Sequence, residues 1–154
     1  MQQQKKIKII VDTREQDPLR FADYEVETCR DKLDAGDYTI FSHDRPKDDH
    51  SIIIERKKNC QELIGNFGTK WDTFRAELEL LCEYKHRAIV VCGPNNFPYL
   101  YERGFTALHP SFIYSRIAEV TMEYQIPILF AGTREDAENI IYRLFTRAIR
   151  LNDE

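Results

Sequence analysis

The segment from Ser51 to Lys58 restricts the possible folds more than any other part of the sequence. Its three consecutive isoleucines predict a β-strand that is buried on both faces of a sheet. Charged residues follow without a break at Glu55, Arg56 and Lys57. A Glu-Arg-Lys tripeptide alone would indicate a solvated strand edge, but charges that continue an interior strand are costly to bury without a metal or a partner. The segment therefore predicts an interior strand whose end carries a functional group.

This strand is predicted to form a hairpin with residues 38–41 across a polar connection that contains Pro46. If the hairpin is symmetric about Pro46, Asp37 lies opposite Glu55, and directly opposed residues share a face of the sheet. Side chains alternate along a strand, so Lys57 lies on the same face as Glu55. This register aligns Asp37, Glu55 and Lys57, whereas a slip of one residue would scatter them.

Two carboxylates beside a lysine suit the metal-dependent cleavage of a phosphodiester. That reaction needs an activated water and neutralisation of charge at the phosphate, and a divalent metal supplies much of both. Mg²⁺ prefers carboxylate oxygens and retains several waters. Asp37 and Glu55 are therefore the predicted direct ligands, joined by the main-chain carbonyl of Arg56, whose side chain is predicted to face the other way. Lys57 is predicted to orient the water or to stabilise charge on the phosphate.

A second group of acids ends the first predicted strand, which runs from Lys5 to Val11. Asp12 and Glu15 follow this strand directly, and the Asp-Pro dipeptide at 17–18 indicates a turn. Asp12 by itself would more often be a turn residue. In this setting, Asp12 and Glu15 are expected to supply a further metal ligand or an outer carboxylate that orders water.

The remaining sequence alternates between strand and helix patterns. The continuous apolar run at 88–92 is typical of a strand at the centre of a parallel sheet, and an Asn-x-x-Glu capping pattern at 59–62 begins a helix. The order of elements predicts an α/β fold, with a three-layer mixed β-sheet and helices on both faces. The other predicted strands are 24–29 and 126–130, and the predicted helices are 60–67, 71–84, 109–124 and 134–151.

The composition is that of an ordinary globular protein, and 154 residues predict a single domain over 1–154. Neither a transmembrane span nor a signal peptide is predicted, so a cytoplasmic location is expected. Four scattered cysteines without a C-x-x-C pair favour reduced thiols over a zinc site or disulfides. The net charge of −4 argues against coating nucleic acid by bulk charge. This charge is compatible with a nuclease, because four acids in one metal site would account for the whole excess of negative charge.

Three blocks of the sequence resemble the signature motifs of the XPF-type structure-specific endonucleases. They are Val-Asp-Thr-Arg-Glu at 11–15, Gly-Asp-Tyr at 36–38 and Glu-Arg-Lys at 55–57. Their order and spacing agree with the family, and the resemblance covers nearly the whole chain. It implies a restriction-endonuclease-like fold and Mg²⁺ or Mn²⁺ as cofactor. The catalytic residues that it implies are Asp12, Glu15, Asp37, Glu55 and Lys57, and the predicted DNA-binding residues are Arg14, Lys58, Lys70 and Arg75.

The sequence departs from this family at two points. The family has an aspartate four residues after the lysine of Glu-Arg-Lys, where this chain has Gln61, and the neighbouring Glu62 is better explained as a helix cap. The helix-hairpin-helix pair that commonly follows the nuclease domain is missing, which predicts a stand-alone domain and suggests a prokaryotic or viral source. Such a domain would bind DNA through its own surface, as a homodimer or with a partner protein.

The resemblance predicts a metal-dependent DNA endonuclease that cuts branched, flapped or distorted duplex. The alternative is a catalytically weak or inactive DNA-binding or scaffolding module of the same fold, although retention of all five core residues argues against it. A nucleotide-binding enzyme unrelated to DNA is disfavoured, because the sequence contains neither a G-x-G-x-x-G nor a G-K-[ST] loop. The residues alone do not separate DNA from RNA as the substrate.

Overall fold

The computed structural model describes residues 6–41 and 50–153. Within them, the strands are β1 (Ile7–Val11), β2 (Val26–Arg30), β3 (Tyr38–Phe41), β4 (Ile52–Lys57), β5 (His86–Cys92) and β6 (Ile128–Ala131). They form one sheet in the order β2-β1-β3-β4-β5-β6. β3 is antiparallel to both of its neighbours, and the other neighbouring strands are parallel. The sheet is therefore mixed, as predicted.

Helices cover both faces of this sheet. In the described residues they are α1 (Cys60–Phe67), α2 (Trp71–Leu81), α3 (Phe97–Glu102), α4 (Pro110–Glu123) and α5 (Arg134–Asn152). The first four helices share an apolar cluster with one face of the sheet, where Phe74 of α2 and Ile53 of β4 are buried. α5 shares a second cluster with the opposite face, where Phe145 and Ile54 are buried. The predicted three-layer α/β fold is confirmed.

The two central strands have the predicted register. Tyr38 of β3 pairs with Ile54 of β4, which is the register that places position 37 opposite position 55. Ile53 and Ile54 belong to opposite apolar clusters, as alternation along a strand requires. The predicted polar connection between these strands, including Pro46, lies outside the described residues.

Two details of the prediction were wrong. The strand at 88–92 is buried but lies second from the sheet's edge, because β6 adds outside β5 and the centre is formed by β3 and β4. α3 was not predicted, since its six residues, with a proline in the first turn, are too few to show a helical stripe. Among the residues that the structure describes, no helix is long and apolar enough to cross a membrane.

Candidate active site

Gly36 brings Asp37 against β4. Its φ is +70°, and a Cβ at this position would collide with the Ile53 side chain and lie 3.3 Å from the Ile54 carbonyl oxygen. A glycine is therefore required where the chain enters β3. The Asp37 N–H donates to the Ile54 carbonyl at 2.9 Å, and the Asp37 Oδ2 accepts from the Arg56 N–H at 2.7 Å. Backbone bonds thus fix the Asp37 carboxyl group at the end of β4.

Asp37, Glu55 and Lys57 come together on one face of the sheet, as predicted. The Asp37 and Glu55 carboxyl groups share a hydrogen bond, and Lys57 Nζ lies 3.3 Å from Glu55 Oε1. The Lys57 side chain is 4% exposed, and its Nζ lies 4.9 Å from the centroid of the Phe74 ring on α2. The three side chains therefore form a compact, largely buried group.

The electrostatics of this carboxyl pair favour a proton or a cation. Burial raises the pKa of Asp37, and the neighbouring Glu55 raises it further. Burial also raises the pKa of Glu55, against the opposing effect of Lys57. Two carboxylates in contact repel each other when both are ionised. Ionisation of both groups would therefore need a positive charge in addition to that of Lys57.

Asp12 lies nearby but is already satisfied by protein donors. Its backbone N–H donates to the Asp37 carbonyl at 2.8 Å. Its buried carboxylate accepts from the Leu33 N–H at 2.8 Å and from Arg14 Nε at 2.7 Å. Burial alone would raise the pKa of Asp12, but the hydrogen bonds from Arg14 and Leu33 outweigh it and lower the pKa. Asp12 therefore holds the end of β1 in place as an ionised group.

Glu15 lies with Arg56, whose side chain faces away from the Asp37–Glu55 pair as predicted. Glu15 Oε2 is 3.4 Å from Arg56 Nη1, and the two side chains are 9% and 3% exposed. Arg56 Nη1 also donates to the Asp17 carbonyl at 2.6 Å. The loop that carries Glu15 is thus attached to β4 by a buried ion pair.

These placements divide the predicted site acids into two groups. Over residues 6–41 and 50–153, no group of three or more His, Cys, Asp or Glu side chains is spaced to hold a metal ion. The participation of Asp12 and Glu15 in the metal site therefore stays a prediction. Asp37 and Glu55 form a pair, whereas Asp12 and Glu15 each have other partners.

The predicted DNA-binding residues differ in their surroundings. Arg14 is 64% exposed and interacts electrostatically with Asp37 and Glu55, in addition to its bond with Asp12. Lys58 and Lys70 are exposed at either end of α1. Arg75 is bonded through its side chain to Tyr124, at the end of α4. Among these four residues, Arg14 interacts with the carboxyl pair.

Residues 11–144 match the family described as the ERCC4 domain. The chain belongs to the ERCC4 domain family. This is a family of nucleases, and the match confirms the resemblance that the three motifs indicated.

Two solved structures are similar to this ERCC4 domain in fold, and one further relative is similar in sequence. XPF from Aeropyrum pernix in complex with DNA has a TM-score of 0.71 and 20% identity, over 93% of this chain and 65% of that chain. A second structure of the same protein has a TM-score of 0.69 and 22% identity, over 95% and 67%. A Methanocaldococcus jannaschii protein named as an ATP-dependent RNA helicase is 25% identical over 144 residues. The chain spans 15% of that relative's length.

This ERCC4 domain has no acid at position 61 to extend the carboxyl pair. Gln61 is exposed, and the neighbouring Glu62 forms the predicted cap, since its N–H donates to Asn59 Oδ1 at 2.9 Å. Glu62 Oε2 in turn accepts from the Lys58 N–H at 3.2 Å. Glu62 is therefore occupied at the start of α1 and does not replace the missing aspartate.

Two side chains of α2 at this site were not predicted to be functional. Phe74 lies beside Lys57, and Glu77 adds negative potential at Glu55. They are three residues apart and so lie on neighbouring positions of one helix face. Phe74 belonged to the predicted apolar stripe, and Glu77 to the predicted solvent side. No sequence signal indicates that this edge of the helix borders β4.

Proposed function

We propose that the chain is a divalent-metal-dependent DNA endonuclease in which Asp37 and Glu55 hold the cation. The observation that carries this proposal is the hydrogen-bonded carboxyl pair at the end of β4, in which both groups have a raised pKa. Membership of a nuclease family supports the same reaction class.

The residues present fit Mg²⁺ or Mn²⁺. Asp37 and Glu55 offer hard carboxylate oxygens, and the main-chain carbonyl of Arg56 would add a neutral oxygen donor. A cation there would supply the positive charge that the pair lacks, so both carboxyl groups could ionise. When bound, it would neutralise phosphate charge and lower the pKa of a bound water.

The remaining side chains have distinct proposed roles. Lys57 would orient the attacking water or hold a phosphate oxygen, because its ammonium lies beside Glu55. Arg14, which is exposed beside the carboxyl pair, would contact the phosphate backbone. Asp12 would act indirectly by holding the turn against β3. Glu15 would act indirectly through its ion pair with Arg56.

We propose that the substrate is branched, flapped or distorted duplex DNA. The likeness to an XPF structure solved with DNA supports nucleic acid as the ligand. A homodimer or a partner protein belongs to the same proposal. The apolar stripe of α5 is buried against its own sheet, but Phe130, Ile140 and Leu144 line an open groove between β6 and α5. A monomer in sedimentation at micromolar concentration would contradict the homodimer.

A second candidate is a nucleic-acid-binding module with weak or no cleavage. It is favoured by Gln61 in place of the family's aspartate, and by the fact that no third acid of the described residues joins the pair. The two candidates predict the same binding but different chemistry.

One experiment separates them. Purified protein is incubated with linear, flap, fork and four-way DNA and with RNA of the same shapes, in Mg²⁺, in Mn²⁺ and in chelator. The endonuclease predicts structure-selective DNA cutting that needs the metal and is lost in Glu55→Gln. The matched control is Asp34→Asn, which removes a 74% exposed carboxylate. Selective binding without cutting in any metal would support the second candidate, and no interaction with any nucleic acid would contradict both.

A further inference from the structure

Arg116 of α4 lies between two aromatic rings. Its guanidinium carbon is 3.9 Å from the centroid of the Trp71 ring and 4.9 Å from the centroid of the Phe112 ring. Its Nε donates to the Phe67 carbonyl at 3.4 Å, and its Nη1 lies 3.0 Å from Glu119 Oε2. These bonds hold the guanidinium over the two rings, and the three side chains together are called the stack.

This stack is buried at one end and open at the other. Trp71 is 9% exposed and packs edge-on against Phe67, with ring centroids 6.2 Å apart. Phe112, at the outer end, is 41% exposed. An exposed aromatic ring that is backed by a guanidinium is already oriented, and little conformational freedom is lost when another ring stacks on it. The open end is therefore a preformed site for a flat, unsaturated ring.

The buried end of the stack is connected through Phe74 to Lys57. The Trp71 and Phe74 ring centroids are 6.2 Å apart, and the Phe74 ring lies 4.9 Å from Lys57 Nζ. One aromatic ring thus separates the stack from the group that contains Glu55. Lys70, which is exposed, immediately precedes Trp71 and supplies a positive charge on the same turn.

The charges at the stack favour a base over a phosphate. Glu119 pairs with Arg116 and offsets its charge, so the outer end presents an aromatic face with little net charge. Phosphate contact is left to Lys70. In the interior of duplex DNA both faces of a base are covered by its neighbours, so a base there must leave the stack before it can lie on a protein ring.

From this geometry we infer that Phe112 is a stacking subsite for an unpaired nucleobase of the DNA substrate. The inference rests on the proposed function for its choice of DNA, and it makes that function more specific. The substrate then has an unpaired stretch on the side of the domain where α2 and α4 meet. A flap or fork has such a stretch, and a fully paired linear duplex does not.

Binding of labelled oligo(dT) in chelator tests the subsite without cleavage, with fluorescence anisotropy as the measurement. Phe112→Leu keeps an apolar side chain but removes the aromatic face. Since stacking on an aromatic ring is worth ~1–3 kcal/mol per base, we expect Phe112→Leu to weaken binding at least about fivefold. Phe112→Trp should restore it. Phe105→Leu is the matched control, because Phe105 is 64% exposed in the α3–α4 connection, and it should bind as the parent does.

Salt dependence and cross-linking make the test specific. The loss in Phe112→Leu should be the same in low and high salt, whereas Lys70→Ala should reduce the salt slope by roughly 0.7, as expected for one phosphate contact on a single strand. Irradiation of an oligonucleotide that carries 5-iodouracil should cross-link at Phe112.

Some outcomes would overturn the inference. These are equal weakening in Phe105→Leu and Phe112→Leu, no oligo(dT) binding by a protein that cuts duplex, and a change of oligomeric state in Phe112→Leu with unchanged oligo(dT) binding. The last outcome would identify the ring as a protein contact. Oligo(dT) binding that depends on Phe112, in a protein that cuts nothing, would support the subsite and contradict the proposed cleavage.

Discussion

The two faces of β4 hold their charged residues in opposite ways. On one face, Glu55 contacts the Asp37 carboxyl group and shares Lys57 as its cation. On the other face, Arg56 is enclosed by the Glu15 carboxylate and the Asp17 carbonyl. If both carboxyl groups were ionised, the first face would carry more negative charge than Lys57 neutralises. The second face is close to balanced.

The shifts in pKa separate acids that can hold a ligand from acids that maintain the structure. Burial and mutual repulsion raise the pKa of Asp37, so this carboxyl group accepts a proton or a cation readily. Hydrogen bonds from Arg14 and Leu33 lower the pKa of Asp12 despite its burial, because protein donors already stabilise its charge. The acids of the sequence motifs thus differ in one respect. The fold supplies hydrogen-bond donors that stabilise the charge of Asp12, but it does not supply enough of them for Asp37.

Glu55→Gln should cause the largest change. The substitution keeps the shape of the side chain but removes the negative charge of a proposed metal ligand. A bound metal stabilises the transition state by several kcal/mol. We expect cleavage to fall by about a thousandfold or more. The metal-free protein should be no less stable, because the replaced carboxyl group is buried and difficult to ionise. Single-turnover cleavage and urea unfolding measure the two effects, and a variant that cuts at the parent rate would contradict the assignment.

Arg56→Met should affect stability rather than metal binding. It leaves Glu15 buried without its cation, and breaking a buried ion pair in this way costs ~3–5 kcal/mol. We expect a decrease of that order in the free energy of unfolding. The double variant Glu15→Gln/Arg56→Met should recover part of it, since the uncompensated charge is gone. If Arg56→Met were as stable as the parent, the buried Glu15–Arg56 ion pair would not stabilise the fold.

The Asp37–Glu55 pair and Asp12 should give stability opposite pH dependences. The folded state retains extra protons on Asp37 and Glu55, so without metal the free energy of unfolding should fall as pH rises above the ordinary carboxyl pKa of about 4. Asp12 has the reverse shift, so its contribution is present above that pKa and is lost as pH falls below it. Urea unfolding from pH 3 to pH 8 measures both.

Two variants isolate these contributions to the pH dependence. Glu55→Gln should flatten the decrease above pH 5, and Asp12→Asn should flatten the decrease on the acid side. Saturating Mg²⁺ should abolish the decrease at high pH in the parent, because the cation replaces the protons. A parent protein whose metal-free stability rises steadily from pH 5 to pH 8 would contradict the raised pKa of the pair.

The smallest expected effects distinguish two exposed arginines. Arg14 interacts with the carboxyl pair, whereas Arg75 is bonded to Tyr124. Since a charged hydrogen bond contributes ~1.5–3 kcal/mol, Arg14→Gln should lower kcat/KM for a flap substrate by about tenfold or more. Arg75→Gln should change it by less than about twofold. The reverse order would show that the DNA backbone passes Arg75 and Tyr124, at the C-terminal end of α4, instead of Arg14.

The register of the central hairpin could be predicted because it depends on local rules. Period-two alternation and a symmetric connection were sufficient to place Asp37 with Glu55, and the observed pairing of Tyr38 with Ile54 has that register. The capping residue Asn59 was identified in the same way, from residues three apart.

The partners of Asp12 and Glu15 could not be predicted, because they come from distant parts of the chain. Asp12 accepts from Leu33, which is 21 residues away, and Glu15 meets Arg56 across the sheet. The loop that follows β1 is held by Arg30, whose Nη2 donates to three of its carbonyl groups, and by Arg134 of α5, which pairs with Asp17 at 2.7 Å. Such contacts follow from the assembled fold, on which motif spacing gives no information.

Calorimetric titration with Mn²⁺ tests most directly the claim that the Asp37–Glu55 pair, and not the Glu15–Arg56 pair, holds the cation. The parent, Glu55→Gln and Glu15→Gln are titrated at the same pH after their folding has been verified. We expect Glu55→Gln to bind Mn²⁺ at least about a hundredfold more weakly than the parent, and Glu15→Gln to remain within about tenfold of it. Parent-like Mn²⁺ binding by Glu55→Gln, together with lost Mn²⁺ binding by Glu15→Gln, would contradict the assignment of the cation to Asp37 and Glu55.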